Sequence, residues 1–473
     1  MITVGFDFEE IDTIINARSL AIVGASAKPV KFGSLFTATQ LTFGFKGPVW
    51  LVNPGEKEIL GRPVYPDLRS LPEVPDLVYL TIPAHRSMDI LEDCADLGVK
   101  GVIIMAAGFR EAGGEGAALE AKALRLAREG GFRIVGPNCF GIYNPRNRLA
   151  LLPGHDFSDR PGDVAYISQS GGFSVHVGRQ CKSLGIDFSA IVSYGNGADL
   201  NEIELLRYFA ADPQTSIIGA YLEGTTDGRL FAAALAEAAS RKTVVIWKVG
   251  KSESSSRAVT SHTGSMAGSS MIWEGLLRQC DAIEVSGVDE TCDVLLALKH
   301  LGRRPGRRLF ITGGGGGLGT YAADLAEEEG LEVPPLLEET ASRLRAVLAA
   351  PGAAVGNPTD IGTPLVPLPV FEAVMETAAS DPGTDILIFD LALNFGYGLG
   401  GEEGLIAAAD VLVRARRKSG KPVVLVLYSR ANGLEDLHFE EILRRLRSRL
   451  LQEGVLVFPS MQRAMRALAL ING

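Results

Sequence analysis

The chain has 473 residues, 46% of them hydrophobic, which is enough for about two to four domains with their own cores. No apolar run is long enough to cross a membrane and no signal-like segment precedes the acidic residues 7–12, so we expect a cytoplasmic protein without a membrane partner. The net charge of −10 argues against a nucleic-acid partner. The five cysteines are widely spaced, which predicts reduced thiols and no metal site.

Strand and helix patterns alternate through residues 1–160, which we assign to a first domain. Strands are predicted at residues 19–24, 48–54, 77–83, 101–106 and 132–135, and helices at 84–97 and 115–129. This alternation predicts a doubly wound parallel sheet, in which ligands bind at the carboxyl ends of the strands. The candidate contacts at these ends are Gly24, Ala25, Ser26, Asn53, Pro54, Ile82, Pro83, Gly108, Phe109, Asn138 and Cys139.

The turn after the first strand argues against a nicotinamide cofactor. It contains Gly24 and Gly33 in the pattern G-A-S-x6-G, which differs from the dinucleotide fingerprint GxGxxG. The second strand ends at Asn53, where a ribose-binding acid is expected in such proteins. A dehydrogenase therefore remains only an alternative, and Gly24 on its own is also compatible with an ordinary tight turn.

A second domain is predicted over residues 161–303, opening with a strand at 163–168 and a helix at 173–184. Small residues join the two elements: Ser168, Gln169, Ser170, Gly171 and Gly172. A helix that starts directly after a strand offers free backbone N–H groups and a dipole to an anion, so we predict a phosphate site here. A nucleophile elbow is excluded because that motif requires glycine at position 168.

Further strands of this domain are predicted at residues 191–194, 217–222 and 243–249. Glu223 follows the second of them, and the last is followed by a loop at 261–269 that sets His262 among small residues. A histidine with this much room is suited to carrying a group between two places. The alternative is a Gly/Ser-rich surface loop in which the histidine has no special role.

The third domain, residues 304–473, opens in the same way as the second. A strand at 308–312 leads into five glycines and a helix at 318–329, and further strands are predicted at 385–391 and 423–428. We predict that Gly314, Gly315 and Gly316 approach a phosphate with their backbone. No Gly-Lys-Ser/Thr follows, so the turn is not a P-loop.

Two such helix N-termini, facing each other, would bind a doubly charged group from both sides. A phosphorylated His262 is such a group, and it would divide one difficult reaction into two steps. Glu223 is then the candidate acceptor for the free ring N–H, which would fix the reactive tautomer.

These motifs together resemble the α subunit of ADP-forming (NDP-forming) acetate/acyl-CoA ligases, relatives of the succinyl-CoA synthetase α subunit. The resemblance covers nearly the whole chain and rests on residues 22–26, 52–54, 136–141, 168–172, 222–224, 227–228, 261–265 and 357–360. It implies a Rossmann-like CoA-binding domain followed by two flavodoxin-like domains. The implied reaction converts a small carboxylate, CoA and NTP to acyl-CoA, NDP and phosphate, with an acyl phosphate and a phosphorylated His262 as intermediates.

The resemblance also implies a separate ATP-grasp β subunit that binds ATP/ADP and Mg²⁺, in an α2β2 assembly. Two positions depart from the family pattern. Gly55 stands where relatives often carry a basic residue for a CoA phosphate, so Lys57, Lys28 or Lys31 is expected to compensate; Gly197 replaces a larger residue and bears on acyl preference. The alternatives are an inactive CoA-binding regulatory protein and a protein acyltransferase, although the latter needs an appended domain.

Overall fold

The computed structural model describes residues 6–28, 31–151, 156–257, 269–348, 352–363, 365–430 and 433–473. Three sheets form within two compact units, the first comprising residues 1–182 and 186–291 and the second comprising 183–185 and 292–473. The predicted α/β class, with a Rossmann-like domain and flavodoxin-like sheets, is confirmed. The two boundaries of the three predicted domains, at residues 160 and 303, stay predictions.

The first sheet has seven strands in the order β3-β4-β2-β1-β5-β6-β7, and only the β3–β4 pair is antiparallel. Its strands are β1 (Leu20–Val23), β2 (Val49–Val52), β3 (Glu58–Ile59), β4 (Arg62–Tyr65), β5 (Leu77–Leu80), β6 (Gly101–Ile104) and β7 (Arg133–Val135). Its helices are α1 (Phe8–Ile15), α2 (Phe32–Phe43), α3 (Ala84–Leu97) and α4 (Gly114–Gly130), with a 3-10 turn at Arg110–Ala112. The central strands β1, β5 and β6 are apolar and buried along their whole length, which is typical of a sheet covered on both faces.

The second sheet also has seven strands, in the order β14-β13-β12-β10-β11-β8-β9. They are β8 (Gly141–Asn144), β9 (Leu149–Ala150), β10 (Val164–Ser168), β11 (Phe188–Ser193), β12 (Ile217–Leu222), β13 (Thr243–Lys248) and β14 (Ile283–Val285). The helices are α5 (Gly171–Ser183), α6 (Glu202–Ala211), α7 (Gly228–Arg241), α8 (Ser270–Gln279) and α9 (Val288–Leu301). The β8–β9 hairpin pairs antiparallel with β11, so residues 141–150 belong to this sheet and not to the first.

A buried apolar cluster and an ion pair join these two sheets. The cluster contains Phe36 and Tyr79 from the first sheet's side and Tyr194 from the second. The Arg133 guanidinium donates to the Asp199 carboxylate at 2.9 Å and 3.0 Å, and the Ile134 N–H donates to the same carboxylate at 2.7 Å.

The third sheet is entirely parallel, in the order β16-β15-β17-β18-β19. Its strands are β15 (Leu309–Gly313), β16 (Thr359–Asp360), β17 (Ile386–Ala392), β18 (Val423–Tyr428) and β19 (Leu456–Phe458). The helices are α10 (Gly316–Glu328), α11 (Glu338–Val347), α12 (Leu368–Ser380), α13 (Leu393–Ser419), α14 (Leu437–Gln452) and α15 (Met461–Asn472), with a 3-10 turn at Leu434–Asp436.

The three sheets share one consequence of their strand order. In each, the order reverses beside the first of its parallel strands. The switch points lie between β1 and β5, between β10 and β12, and between β15 and β17. Ligands of open α/β sheets bind at such switch points, outside the carboxyl ends of the strands. Among the described residues, no helix is both long and apolar enough to span a bilayer.

Candidate active site

The switch point of the first sheet opens into a cleft of about 790 Å³ at the ends of β1, β2 and β5. The residues predicted from the sequence that line it are Gly24, Ser26, Lys31, Gly33, Asn53, Pro54, Ile82 and Pro83. The structure therefore brings together residues from three separate strand ends and from the start of α2.

Gly24 and Gly33 set the shape of this cleft. Gly24 has a φ of +87°, and a Cβ at Gly33 would lie 2.2 Å from the Gly24 carbonyl oxygen. Only glycine therefore allows α2 to begin this close to the turn after β1. The close approach puts the positive end of the α2 dipole at the cleft, where it favours an anion.

The Asn53 side chain supports the cleft wall. Its Nδ2 donates to the Ala25 carbonyl at 2.8 Å, and its Oδ1 accepts from the Gly55 N–H at 2.9 Å. Asn53 thus ties the end of β2 to the turn after β1, which explains why an amide stands where a ribose-binding acid was considered.

The other predicted contacts of the first domain do not line this cleft: Ala25, Lys57, Gly108, Phe109, Asn138 and Cys139. Ala25 and Phe109 are fully buried, and Cys139 is buried in the shared core. Burial raises the pKa of the Cys139 thiol, so it is no thiolate at neutral pH. Lys57 is exposed to solvent.

Sequence reasoning missed Arg86, which lines the cleft from the first turn of α3. Its side chain is exposed, and with Lys31 it supplies the positive charge of the lining. The available signal was its position, because residues 84–97 were predicted as a helix that follows a strand end.

The turn between β10 and α5 is braced by its own hydroxyl groups. Ser168 Oγ accepts from the Ser170 N–H at 3.1 Å and donates to the Ser170 carbonyl at 2.7 Å, while Ser170 Oγ accepts from the Phe173 N–H at 3.3 Å. The two serines therefore cap and shape the helix start. The first-turn amides, including those of Gly171 and Gly172, have no acceptor within the helix and are the groups available to an anion.

Gln169 links this turn to the predicted acid. Its Oε1 accepts from the backbone N–H groups of Glu223 and Gly224, the latter at 3.1 Å. Glu223 is only 5% exposed, and its Oε1 accepts from the Tyr221 hydroxyl at 3.3 Å. The carboxylate is thus held at the switch point, on the strand beside the α5 turn. Because the side-chain carbonyl of Gln169 accepts these two hydrogen bonds, only its side-chain NH2 group is available for the predicted phosphate contact.

Lys248 was missed by the sequence analysis, although it lies within the strand predicted at 243–249 and ends the observed strand β13. Its ammonium group donates to the Glu223 carbonyl at 2.9 Å and lies 4.9 Å from the Trp273 ring centroid. Burial lowers the pKa of Lys248 to about 8, with repulsion from Lys251 adding to the effect. A cation at the end of an otherwise apolar strand was the signal that pointed to it.

His262 lies outside the described residues, as does the rest of its loop from residue 258 to 268. The chain leads into this loop from Lys251, which pairs with Glu284 at 2.6 Å, and leaves it at α8. The role of His262 therefore stays a prediction.

The glycine-rich turn of the third sheet lines a cavity of about 220 Å³, which shares Leu318, Asp390 and Met461 with a neighbouring cavity of about 300 Å³. Gly315 is the N-cap of α10 and lines the smaller cavity with Gly316, whereas Gly314 does not line it. A Cβ on Gly316 would lie 3.1 Å from Asp360 Oδ2. Helix α10 thus begins at the switch point, as the predicted phosphate site requires.

Asp390 is a third residue that the sequence analysis missed. It lies two residues before the carboxyl end of β17, is 5% exposed and lines both cavities. Its Oδ1 accepts from the Tyr428 hydroxyl at 3.2 Å, and the Arg430 guanidinium lies 5.0 Å from the Tyr428 ring centroid. Its sequence signal was a carboxylate inside the apolar strand predicted at 385–391.

Two family models match the chain. Residues 18–145 match a CoA binding domain, and residues 161–298 match a succinyl-CoA ligase like flavodoxin domain. A solved structure of the dinucleotide forming acetyl-coenzyme A synthetase 1 from Ca. Korarchaeum cryptofilum, in complex with phosphate and ADP, superimposes with a TM-score of 0.83. That chain is 30% identical, and the match covers 98% of this chain and 96% of that one.

Curated relatives agree with these matches. The alpha subunit of ADP-forming acetate–CoA ligase I from Pyrococcus furiosus is 33% identical over 97% of this chain and 96% of its own length. The alpha subunit of isoenzyme II from the same organism is 35% identical, with 88% and 89% covered. An ADP-forming acetate–CoA ligase I from Archaeoglobus fulgidus is 38% identical over 74% of this chain, which spans only 50% of that enzyme. The resemblance predicted from the motifs is confirmed: this chain belongs to the family of ADP-forming acetate–CoA ligase α subunits, which are acid–thiol ligases.

Proposed function

We propose that this chain is the CoA-binding, phosphoryl-carrying subunit of an NDP-forming acyl-CoA synthetase. The overall reaction interconverts a small carboxylate, CoA and NTP with acyl-CoA, NDP and phosphate. The observation that carries the proposal is the position of Glu223, which is buried at a switch point beside the start of α5. The Gln169 side chain holds this strand end by accepting hydrogen bonds from the backbone N–H groups of Glu223 and Gly224. A carboxylate held there can orient a histidine ring, and the helix amides can neutralise a phosphoryl group.

In this mechanism His262 carries the phosphoryl group. Glu223 accepts the N–H of the ring nitrogen that does not react, which leaves the other nitrogen as the nucleophile. Each of two helix starts offers backbone amides that can bind phosphoryl oxygens, α5 at Gly171 and Gly172, and α10 at Gly315 and Gly316. The phosphoryl group passes from His262 to the carboxylate substrate, which gives an acyl phosphate and frees the histidine. The CoA thiol then attacks the acyl carbon and phosphate leaves, which gives acyl-CoA.

The decisive test is phosphate labelling. The chain, its copurifying partner, Mg²⁺ and γ-labelled ATP should give an acid-labile phosphate that peptide mass spectrometry places on His262. His262→Ala should abolish the label, and Glu223→Gln should reduce it while CoA still binds. The matched control is His438→Ala, since this histidine is exposed on α14. Full ligase activity in His262→Ala would refute the mechanism, whereas neither label nor ligase activity in the unmodified chain with its partner would favour the inactive regulatory protein.

We further propose that CoA binds the cleft of the first sheet. The cleft fits such a ligand because the Gly24–Gly33 contact leaves room for a phosphate chain at a helix start, and because Lys31 and Arg86 supply charge. Each cation is expected to act on a CoA phosphate.

Calorimetry with CoA tests this assignment residue by residue. Arg86→Ala should weaken CoA binding about tenfold, as expected for loss of one charge-assisted contact. Lys57→Ala should leave it unchanged, since Lys57 lies outside the cleft lining. The opposite result would move the phosphate contact to Lys57, as the sequence first suggested.

A separate ATP-grasp β subunit is proposed to bind ATP/ADP with Mg²⁺. The support is that the chain matches α subunits over nearly their full length but spans half of the Archaeoglobus enzyme. We expect an α2β2 complex, which light scattering of the copurified proteins will measure. Tight ATP binding by this chain alone would contradict the two-subunit arrangement. A cytoplasmic location stays a prediction.

A further inference from the structure

The second compact unit contains a buried carboxyl group that the proposed mechanism does not use. Asp390 lies where the strand order of the third sheet reverses, and it is directly opposite Gly313 of the neighbouring strand β15. A Cβ on Gly313 would lie 3.2 Å from Asp390 Cβ, so the glycine turn is packed directly against this residue. A site built for an anion thus has an acid in its wall.

An ionised Asp390 would repel that anion. The Oδ1 atom of Asp390 accepts a hydrogen bond from the Tyr428 hydroxyl, and no described residue donates to its Oδ2 atom. Since Asp390 is 5% exposed and lines both cavities, a group bound in them is the available partner for Oδ2. A carboxyl group can serve an anion only as a donor, which requires its neutral form.

The surroundings of Asp390 set its protonation. Burial raises the pKa of Asp390 to about 6, while the Tyr428 hydrogen bond and the charge of Arg430 oppose the rise. The other titratable groups that line the cavities are Asp360 at the end of β16 and Tyr321 on α10. Helix α15 contributes Met461 and Gln462, neither of which titrates.

We infer that neutral Asp390 donates a hydrogen bond from Oδ2 to a small oxyanion bound between the start of α10 and Arg430. This inference rests on the proposed function, because it takes the glycine turn as an anion site. It adds that the ligand is a carboxylate or phosphate group small enough for cavities of about 220 and 300 Å³. The apolar side chains of Leu318 and Met461 line both cavities and would contact any attached carbon chain.

The test is calorimetry of the full-length chain with acetate and, separately, with sulfate, which both keep their charge between pH 5.5 and pH 8. Affinity for at least one of them should fall about tenfold per pH unit above about pH 6, as Asp390 ionises. Asp390→Asn keeps a donor and should bind independently of pH. Tyr428→Phe removes a hydrogen bond that stabilises the carboxylate, so the pH midpoint should move upward.

Tighter binding of acetate would assign the site to the carboxylic acid substrate, and tighter binding of sulfate would assign it to phosphate. Binding that is independent of pH in the unmodified chain would overturn the inference, as would a normal pH dependence in Asp390→Asn or no binding of either anion. Phosphate label on His262 together with anion binding that does not depend on pH would refute only this inference. A pH-dependent site without a label on His262 would refute only the phosphoryl-carrier function.

Discussion

The contact between α2 and the turn after β1 makes Gly33→Ala the most informative substitution in the first sheet. The added Cβ would lie 2.2 Å from the Gly24 carbonyl oxygen and 3.0 Å from Thr81 Oγ1. The carbonyl belongs to the backbone of a turn held by Asn53, so it cannot rotate away as a side chain would. Relief to a normal contact of roughly 3.2 Å requires the start of α2 to move by about 1 Å, and such overpacking costs about 1–3 kcal/mol.

The same movement should weaken CoA binding. A charge-assisted hydrogen bond is worth about 1.5–3 kcal/mol, and a shift of about 1 Å is enough to lose one. We therefore expect the dissociation constant for CoA to rise by about ten- to 150-fold, measured by calorimetry. Urea denaturation should report the loss of stability in parallel.

Gly114→Ala is the matched control for Gly33→Ala. Gly114 is the first residue of α4 in the same sheet's helical layer, and a Cβ there meets nothing within 4 Å. This variant should be neutral or slightly more stable, because alanine has the higher helix propensity. If Gly33→Ala behaves like Gly114→Ala in both assays, the close approach does not shape the CoA site and the argument is wrong.

Three further substitutions probe buried charges. Asp199→Ala leaves the Arg133 guanidinium buried without its main partner, so we expect a loss of about 3–5 kcal/mol in urea denaturation. Asp390→Asn removes a group whose pKa rises from 3.8 to about 6 on folding; the carboxyl stabilises the fold fully below pH 3.8 and loses that contribution as the pH rises through 6. Relative to the variant, the unmodified chain should therefore lose up to about 3 kcal/mol between pH 4 and pH 7. Lys248→Met removes the donor to the Glu223 carbonyl and should slow histidine phosphorylation by about tenfold, with CoA affinity unchanged.

Controls for these variants come from exposed charges. Lys122 pairs with Glu92 on the surface, so Lys122→Ala should leave the urea midpoint unchanged. Equal losses in Lys122→Ala and Asp199→Ala would contradict the importance of burial. If the difference in unfolding free energy between the unmodified chain and Asp390→Asn stays constant from pH 4 to pH 7, the pKa of Asp390 does not change on folding. A normal rate of histidine phosphorylation in Lys248→Met would show that Lys248 has only a structural role.

Much of the secondary structure was predictable because buried parallel strands and amphipathic helices leave local signals in the sequence. The helix at 84–97 and the strands at 217–222 and 423–428 agree with the structure residue by residue. Other ends differ by a few residues; α5 begins at Gly171, earlier than predicted, because Ser170 caps it. Short strands such as β14, β16 and β19 were missed because two or three residues carry too weak a pattern.

The site residues also divide into those with a local sequence signal and those whose role depends on the fold. The sequence alone determined the strand ends and their small residues, since a glycine or serine turn between a strand and a helix is a local pattern, and the motifs determined the family. The pairing of β8 with β11 joins segments about 50 residues apart, which no local pattern encodes. Only the tertiary structure decided that Asn53 braces a turn, that Cys139 is buried and that Arg86 reaches the cleft. The protonation of Lys248 and Asp390 was decided there too, because a pKa depends on burial and on neighbours that the fold brings together.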